Sequence, residues 1–120
     1  MPRDYPRRYR VADQIQRELG RLIREVKDPR VSGIVTVSSV DVSPDLGHAK
    51  VFVTVLETEE PEATVTALNR AAGFLRGRLG SRLELRGVPR LVFQYDASLD
   101  RVDRVERLLR EERERRDDDD

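Results

Sequence analysis

Residues 61–82 read Pro-Glu-Ala-Thr-Val-Thr-Ala-Leu-Asn-Arg-Ala-Ala-Gly-Phe-Leu-Arg-Gly-Arg-Leu-Gly-Ser-Arg. Pro61 stands among Glu57, Glu59, Glu60 and Glu62, and acids with a proline suit the first turn of a helix. Val65, Leu68, Ala72, Leu75 and Leu79 then keep to one helical face. Phe74 departs from that face, because at about 100° per residue it falls roughly opposite. An unbroken helix leaves it exposed, and the small residues Ala71, Ala72 and Gly73 stand just before it. The pattern predicts two successive helices with a kink or break near Gly73, and Gly80 as a cap at the end.

Upstream, Ile34 to Val42 is rich in valine, serine and threonine and reads as a strand. Ser43-Pro44-Asp45-Leu46-Gly47 is a turn cluster. His48 to Leu56 is a second strand, with Ala49, Val51, Val53 and Val55 pointing one way and His48, Lys50, Phe52 and Thr54 the other. Residues 7–26 read as a helix, since Val11, Ile15, Leu19, Leu22 and Val26 form one stripe. Arg10, Arg17, Arg21 and Arg24 fall on its opposite side, and Asp28-Pro29 stops it. Downstream, Leu91 to Tyr95 is a third strand. Arg101 to Arg116 is a charged helical stretch with Val102, Val105, Leu108 and Leu109 on one side, and four aspartates follow as a disordered tail.

The order is helix, strand, strand, helix, helix, strand, helix. It predicts an α+β layer with helices on one face of a three-stranded sheet. Residues 1–100 form one domain on this reading, and 101–120 a charged helix with an acidic tail. The first six elements are in the order of a type II KH domain, whose two successive helices meet at a junction that clamps a nucleic-acid backbone.

A chain of 120 residues builds a single core. It has no cysteine, which excludes disulfides, thiolate metal sites and cysteine nucleophiles. No apolar run approaches the roughly 20 residues that span a bilayer. The basic start has no apolar stretch behind it, so it is not a secretory signal. A soluble, cytoplasmic monomer is expected. The 23 basic and 23 acidic residues cancel overall but are unevenly placed. Residues 67–90 carry six arginines and one glutamate, and residues 41–66 one lysine and six acids. A surface polarised in that way attracts anionic partners, though it also fits an ordinary charged exterior.

The chemistry of catalysis is missing. A literal GxxG, Gly77-Arg78-Leu79-Gly80, lies near the end of the second helix of the pair and not at the junction, so it reads as a chance match. His48 is the single histidine and has no orienting partner or second ligand in view. The acids near residue 60 read as helix-start charge. No P-loop or GxSxG motif is present, and no enzyme activity, cofactor or metal is expected. The aromatics are not interleaved with basic residues as in a stacking sheet, and Phe52, Phe74 and Phe93 read as packing residues.

Five stretches then stand out together: R-V-A-D-Q-I-Q-R-E-L (10–19), D-P-R-V (28–31), V-T-V-S-S-V-D-V-S-P-D-L-G-H-A-K-V-F-V (35–53), L-N-R-A-A-G-F-L-R-G-R-L (68–79) and P-R-L-V-F-Q-Y-D-A-S (89–98). In this order the chain resembles the ribosome-binding factor A family of bacterial small-subunit assembly factors, over about residues 7–110. The resemblance implies a KH-like domain whose junction is an Ala-x-Gly kink, matched by Ala71, Ala72 and Gly73. It also implies binding to the free or immature 30S subunit and its 16S rRNA, late maturation with 5′-end processing, and support of growth in the cold. Arg70, Arg76 and Arg78 around the kink, and Arg82, Arg86 and Arg90 beyond it, are the expected phosphate contacts. Arg7, Arg8 and Arg10 come second, and each of the nine also fits a solvated surface charge. Residues 101–116 could instead dock a ribosomal protein or an assembly GTPase.

Overall fold

The computed structural model describes residues 6–83, 85 and 87–119, with side chains described for all of these except 99–105 and 117–119. Its order is α1 (Arg7–Leu22), β1 (Ile34–Val42), β2 (His48–Leu56), α2 (Pro61–Arg70), α3 (Ala72–Arg82), β3 (Arg90–Tyr95) and α4 (Ser98–Asp119). The three strands form one sheet in the order β1-β2-β3. β1 and β2 are antiparallel, and β2 and β3 are parallel. A parallel pair needs a long crossover, and α2 with α3 supplies it. This is the α+β, KH-like arrangement that the element order predicts.

One sheet face carries the core. Val37, Val42, Ala49, Val51, Val53, Val55, Leu91 and Phe93 are buried there, under Val11, Ile15, Leu19 and Leu22 of α1 and Leu68, Leu75 and Leu79 of α2 and α3. The expected alternation along β2 holds for its buried Ala49, Val51, Val53 and Val55 but breaks at Thr54, which is buried as well. The opposite face is open, and its paired Ile34 and Leu56 remain half-exposed.

Three described backbone positions have positive φ, Gly33, Leu46 and Glu57, the last with φ +59° after β2. Gly33 has φ +80°, and a Cβ there would collide with the Leu56 carbonyl oxygen. Only glycine suits the entry into β1. Leu46 has φ +62° in the β1–β2 turn. The Asp45 carboxylate organises that turn, accepting hydrogen bonds from Ser43 Oγ at 2.6 Å and Gly47 N at 2.9 Å. These bonds, the one from Ser43 first, hold Asp45 below the ordinary aspartate value of 3.8.

The sequence reading needs several corrections. α1 ends at Leu22 and passes through a 3₁₀ turn, Ile23–Glu25, before the chain extends at Val26. β1 holds a bulge at Ser38, whose Oγ donates to Phe52 O at 3.1 Å and to Asp96 Oδ2 at 2.7 Å. Gly80 is not a cap, because α3 continues to Arg82. α4 begins at Ser98, three residues before the expected Arg101, where Asp96 Oδ1 accepts the Ser98 N–H at 3.0 Å. It takes in Asp117 to Asp119, which the sequence reading assigns to a disordered tail. Glu–Arg pairs one turn apart, such as Glu112 with Arg115 at 2.9 Å, favour the longer helix. The side chains of Val102 and Val105 lie outside the described residues.

Candidate nucleic-acid interface

The junction between α2 and α3 is a single residue. Ala71 leaves helical geometry with φ −87° and ψ 1°, and α3 starts at Ala72. The chain does not separate there, since Leu75 N still donates to Ala71 O at 3.0 Å. Ala71 and Ala72 pack against the core, which requires small side chains. Gly73 differs from them. A Cβ at Gly73 would meet nothing within 4 Å, and the same holds for Gly77 one turn later. Neither glycine is required by internal packing, so both leave open ground on the outer side of α3.

The helix before the junction is tied to the sheet. Asn69 Nδ2 donates to Phe93 O at 3.0 Å, and Phe93 N donates to Asn69 Oδ1 at 2.7 Å. One side chain thereby satisfies two backbone groups on the outer edge of β3. On α3, Arg76 Nε donates to Val88 O at 2.9 Å, holding the segment that leads into β3.

Arg76 also reaches a cleft of about 400 Å³, lined by Arg7, Asp45, Leu46, Gly47, Val88 and Pro89 among others. Arg7 and Arg76, far apart in sequence, thus share one concave site. Its titratable lining is two guanidinium groups and the Asp45 carboxylate, a positive balance suited to an anion. The Arg90 backbone meets the same turn, where its N–H donates to Gly47 O at 2.9 Å, and its side chain is exposed. Arg8 lies beside the same turn, near Pro44 and Leu46, with its guanidinium 4.9 Å from the Tyr9 ring centroid.

The other expected contacts are placed elsewhere. Arg70, the last residue of α2, is exposed at the junction. Arg78 Nη2 pairs with Glu25 Oε1 at 2.9 Å. Arg82 lies 3.9 Å from Glu18 Oε2 and 4.0 Å from Glu25 Oε2. These two arginines therefore face acids of α1 and the turn after it, away from the Arg7–Arg76 cleft. Glu18 Oε2 is buried and lacks a hydrogen bond, since its nearest basic atom is 3.9 Å away. Arg10 is exposed on α1 with Arg17, Arg21 and Arg24, as the stripe predicts. Arg86 lies outside the described residues.

Sequence reasoning missed Asn69, Glu18 and Glu25. Glu18 lies on α1 and Glu25 at the end of the 3₁₀ turn that follows it, and Arg82 lies within 4.0 Å of both. The pairing with α3 depends on how the helices cross and has no local signal. Phe74 is a further correction: Phe93 is buried and Phe52 half-buried, but Phe74 is 51% exposed despite the break. Among the described residues no group of three or more His, Cys, Asp or Glu could hold a metal ion. No helix of those residues is long and apolar enough to cross a membrane.

Comparison with known proteins gives the same assignment at each level. The family profile of ribosome-binding factor A matches residues 7–109. A ribosome-binding factor A of Alkalilimnicola ehrlichii is 59% identical over 106 residues, which is 86% of this chain and 81% of that protein. The crystal structure of ribosome-binding factor A from Thermus thermophilus superposes with a TM-score of 0.64 at 32% identity, covering 73% of this chain and 94% of the other. A homology model of the Thermus thermophilus factor, fitted into the cryo-EM map of a 30S complex with that factor, superposes with a TM-score of 0.61 at 32% identity, covering 72% of this chain and 91% of the other. With a match that spans nearly the whole described fold, the chain belongs to the ribosome-binding factor A family.

Proposed function

We propose that this protein is a non-catalytic assembly factor, cytoplasmic and monomeric, that binds the free or immature 30S subunit through its 16S rRNA. The observation that carries the reading is the fold neighbour fitted into a 30S complex, together with family membership. In this reading the protein binds one RNA conformation better than another and so shifts the balance between them. Late maturation, 5′-end processing of 16S rRNA and growth in the cold follow from that shift. Arg70, Arg76 and Arg90, with Arg7, are the foremost phosphate contacts, because they are exposed or line the cleft and, among the described residues, form no ion pair with a carboxylate. Arg8, Arg10, Arg78, Arg82 and Arg86 add charge around them.

The decisive experiment is sedimentation of tagged protein with ribosomal particles at low and moderate salt. Salt-sensitive recovery with free 30S subunits alone is the expected result. Equal recovery with 30S, 50S and 70S particles would reduce the protein to a non-specific basic surface. A second role rests on α4, where Leu108 and Leu109 are 59% and 54% exposed. Residues 101–120 then form a separate docking element for a ribosomal protein or assembly GTPase. Unchanged particle association after deletion of 101–120 would remove that role.

A further inference from the structure

We propose that Phe74 is a stacking platform for one unpaired RNA base at the α2–α3 junction. This deepens the RNA-binding reading and rests on it. A single exposed apolar residue is ordinary on a protein surface. The surroundings of Phe74 are what give it a role. Leu75 and Leu79 of the same helix are fully buried, so α3 already has its core face. The break at Ala71 could have turned the aromatic ring inward, but the ring remains 51% exposed.

Its neighbours suit a nucleotide. From Ala63 to Leu83 the chain has four arginines, 70, 76, 78 and 82, and no acid. Gly77 and Arg78 follow Phe74 by three and four residues on α3 and so lie on its side of that helix, Arg78 in its pair with Glu25, and Arg70 is exposed across the junction. A Cβ at Gly73 or Gly77 would meet nothing within 4 Å, which leaves room beside the ring for a base and its sugar. A protein partner would call for a broader apolar patch. Among the described residues, Phe74 is the one exposed large hydrophobic on α2 or α3. An isolated ring with the exposed Arg70 across the junction fits one base and a flanking phosphate, the combination used to hold single strands.

The chain contains no tryptophan, so Phe74→Trp installs a single fluorescent reporter. The probe is a 12-nucleotide single-stranded RNA of mixed sequence, with inorganic polyphosphate as a ligand that has charge but no bases. F74W is expected to bind the RNA as the wild type does, with its emission quenched, and to bind polyphosphate without quenching. Phe74→Leu keeps the melting temperature and loses roughly 5- to 150-fold in RNA affinity, the size of one lost base stack. Wild-type affinity in F74L overturns the stack and leaves RNA binding standing. F74W emission that is unmoved at saturating RNA, or equally quenched by polyphosphate, overturns it as well. A wild-type protein that binds neither this RNA nor 30S subunits overturns the underlying function too.

Discussion

Arg78 and Glu25, 53 residues apart in sequence, meet at 2.9 Å and join α3 to the turn that closes α1. Both side chains are more than a third exposed, so water and salt weaken the pair. Glu25→Gln should change stability by less than about 1 kcal/mol. The same substitution removes a negative charge from the arginine cluster on α3. RNA affinity should rise, by up to about fivefold at low salt, corresponding to the ~1 kcal/mol between unit charges 4 Å apart in water. Salt titrations of RNA binding check this, and a fall in affinity would show that Glu25 orients Arg78 productively.

Asn69 should be among the most sensitive exposed positions. Asn69→Ala leaves both the N–H and the carbonyl of Phe93 without their partner. The expected loss is about 2 kcal/mol, because unmade bonds at partly buried groups are costly. Asn69→Asp keeps the acceptor for the Phe93 N–H but cannot donate to the carbonyl, so it restores only part of the stability. Urea unfolding of the two variants distinguishes them.

Two glycines should respond in opposite ways to alanine. Gly33→Ala places a methyl group against the Leu56 carbonyl at a positive φ and should cost at least about 2 kcal/mol. Gly73→Ala meets open space inside a helix and should be neutral or stabilising by up to about 1 kcal/mol. Thermal melts of both measure the contrast. If the outer side of Gly73 touches RNA, G73A also weakens 30S association while the fold is retained.

Acid should destabilise the protein partly through two turns. Asp28 is held below the ordinary value of 3.8 by hydrogen bonds from the Arg30 side chain and backbone, and Asp45 by those from Ser43 and Gly47. A carboxyl whose folded pKa is depressed adds stability above its unfolded pKa, about 3.9. That contribution disappears as pH falls through the lower folded value. A double variant, Asp28→Asn with Asp45→Asn, should be less stable than wild type at pH 6, and the difference should begin to shrink only below about pH 4. Urea midpoints across this range are the readout, and parallel curves would exclude both groups.

The main elements were legible because their apolar periods are long. Val11 to Leu22 and Val65 to Leu79 repeat at helical spacing, and the valines of β2 alternate. The break was legible through Phe74, although it falls at Ala71 and does not bury the ring. The Ser38 bulge had no such signal, since adjacent serines are equally compatible with either register. The end of α3 was misplaced because glycine is tolerated inside a helix, and a Cβ at Gly80 would stand 3.5 Å from Val88. The arginines were found as a class but not as groups. Whether a guanidinium meets Glu25, the Val88 carbonyl or an open cleft depends on packing between helices, which no local pattern records.

The single-residue junction is braced on both sides, by Asn69 on Phe93 before it and by Arg76 on Val88 after it. A surface held in this way has little freedom left to lose when it meets a partner. The entropic burden of fitting then falls mainly on the RNA, which has to be loose enough to adapt to a fixed template. Strands still unsettled at that place satisfy the demand, and strands already locked into finished structure do not. On the proposed RNA-binding function, the rigidity of a few hydrogen bonds around Ala71 is a way of sensing how far the RNA has folded.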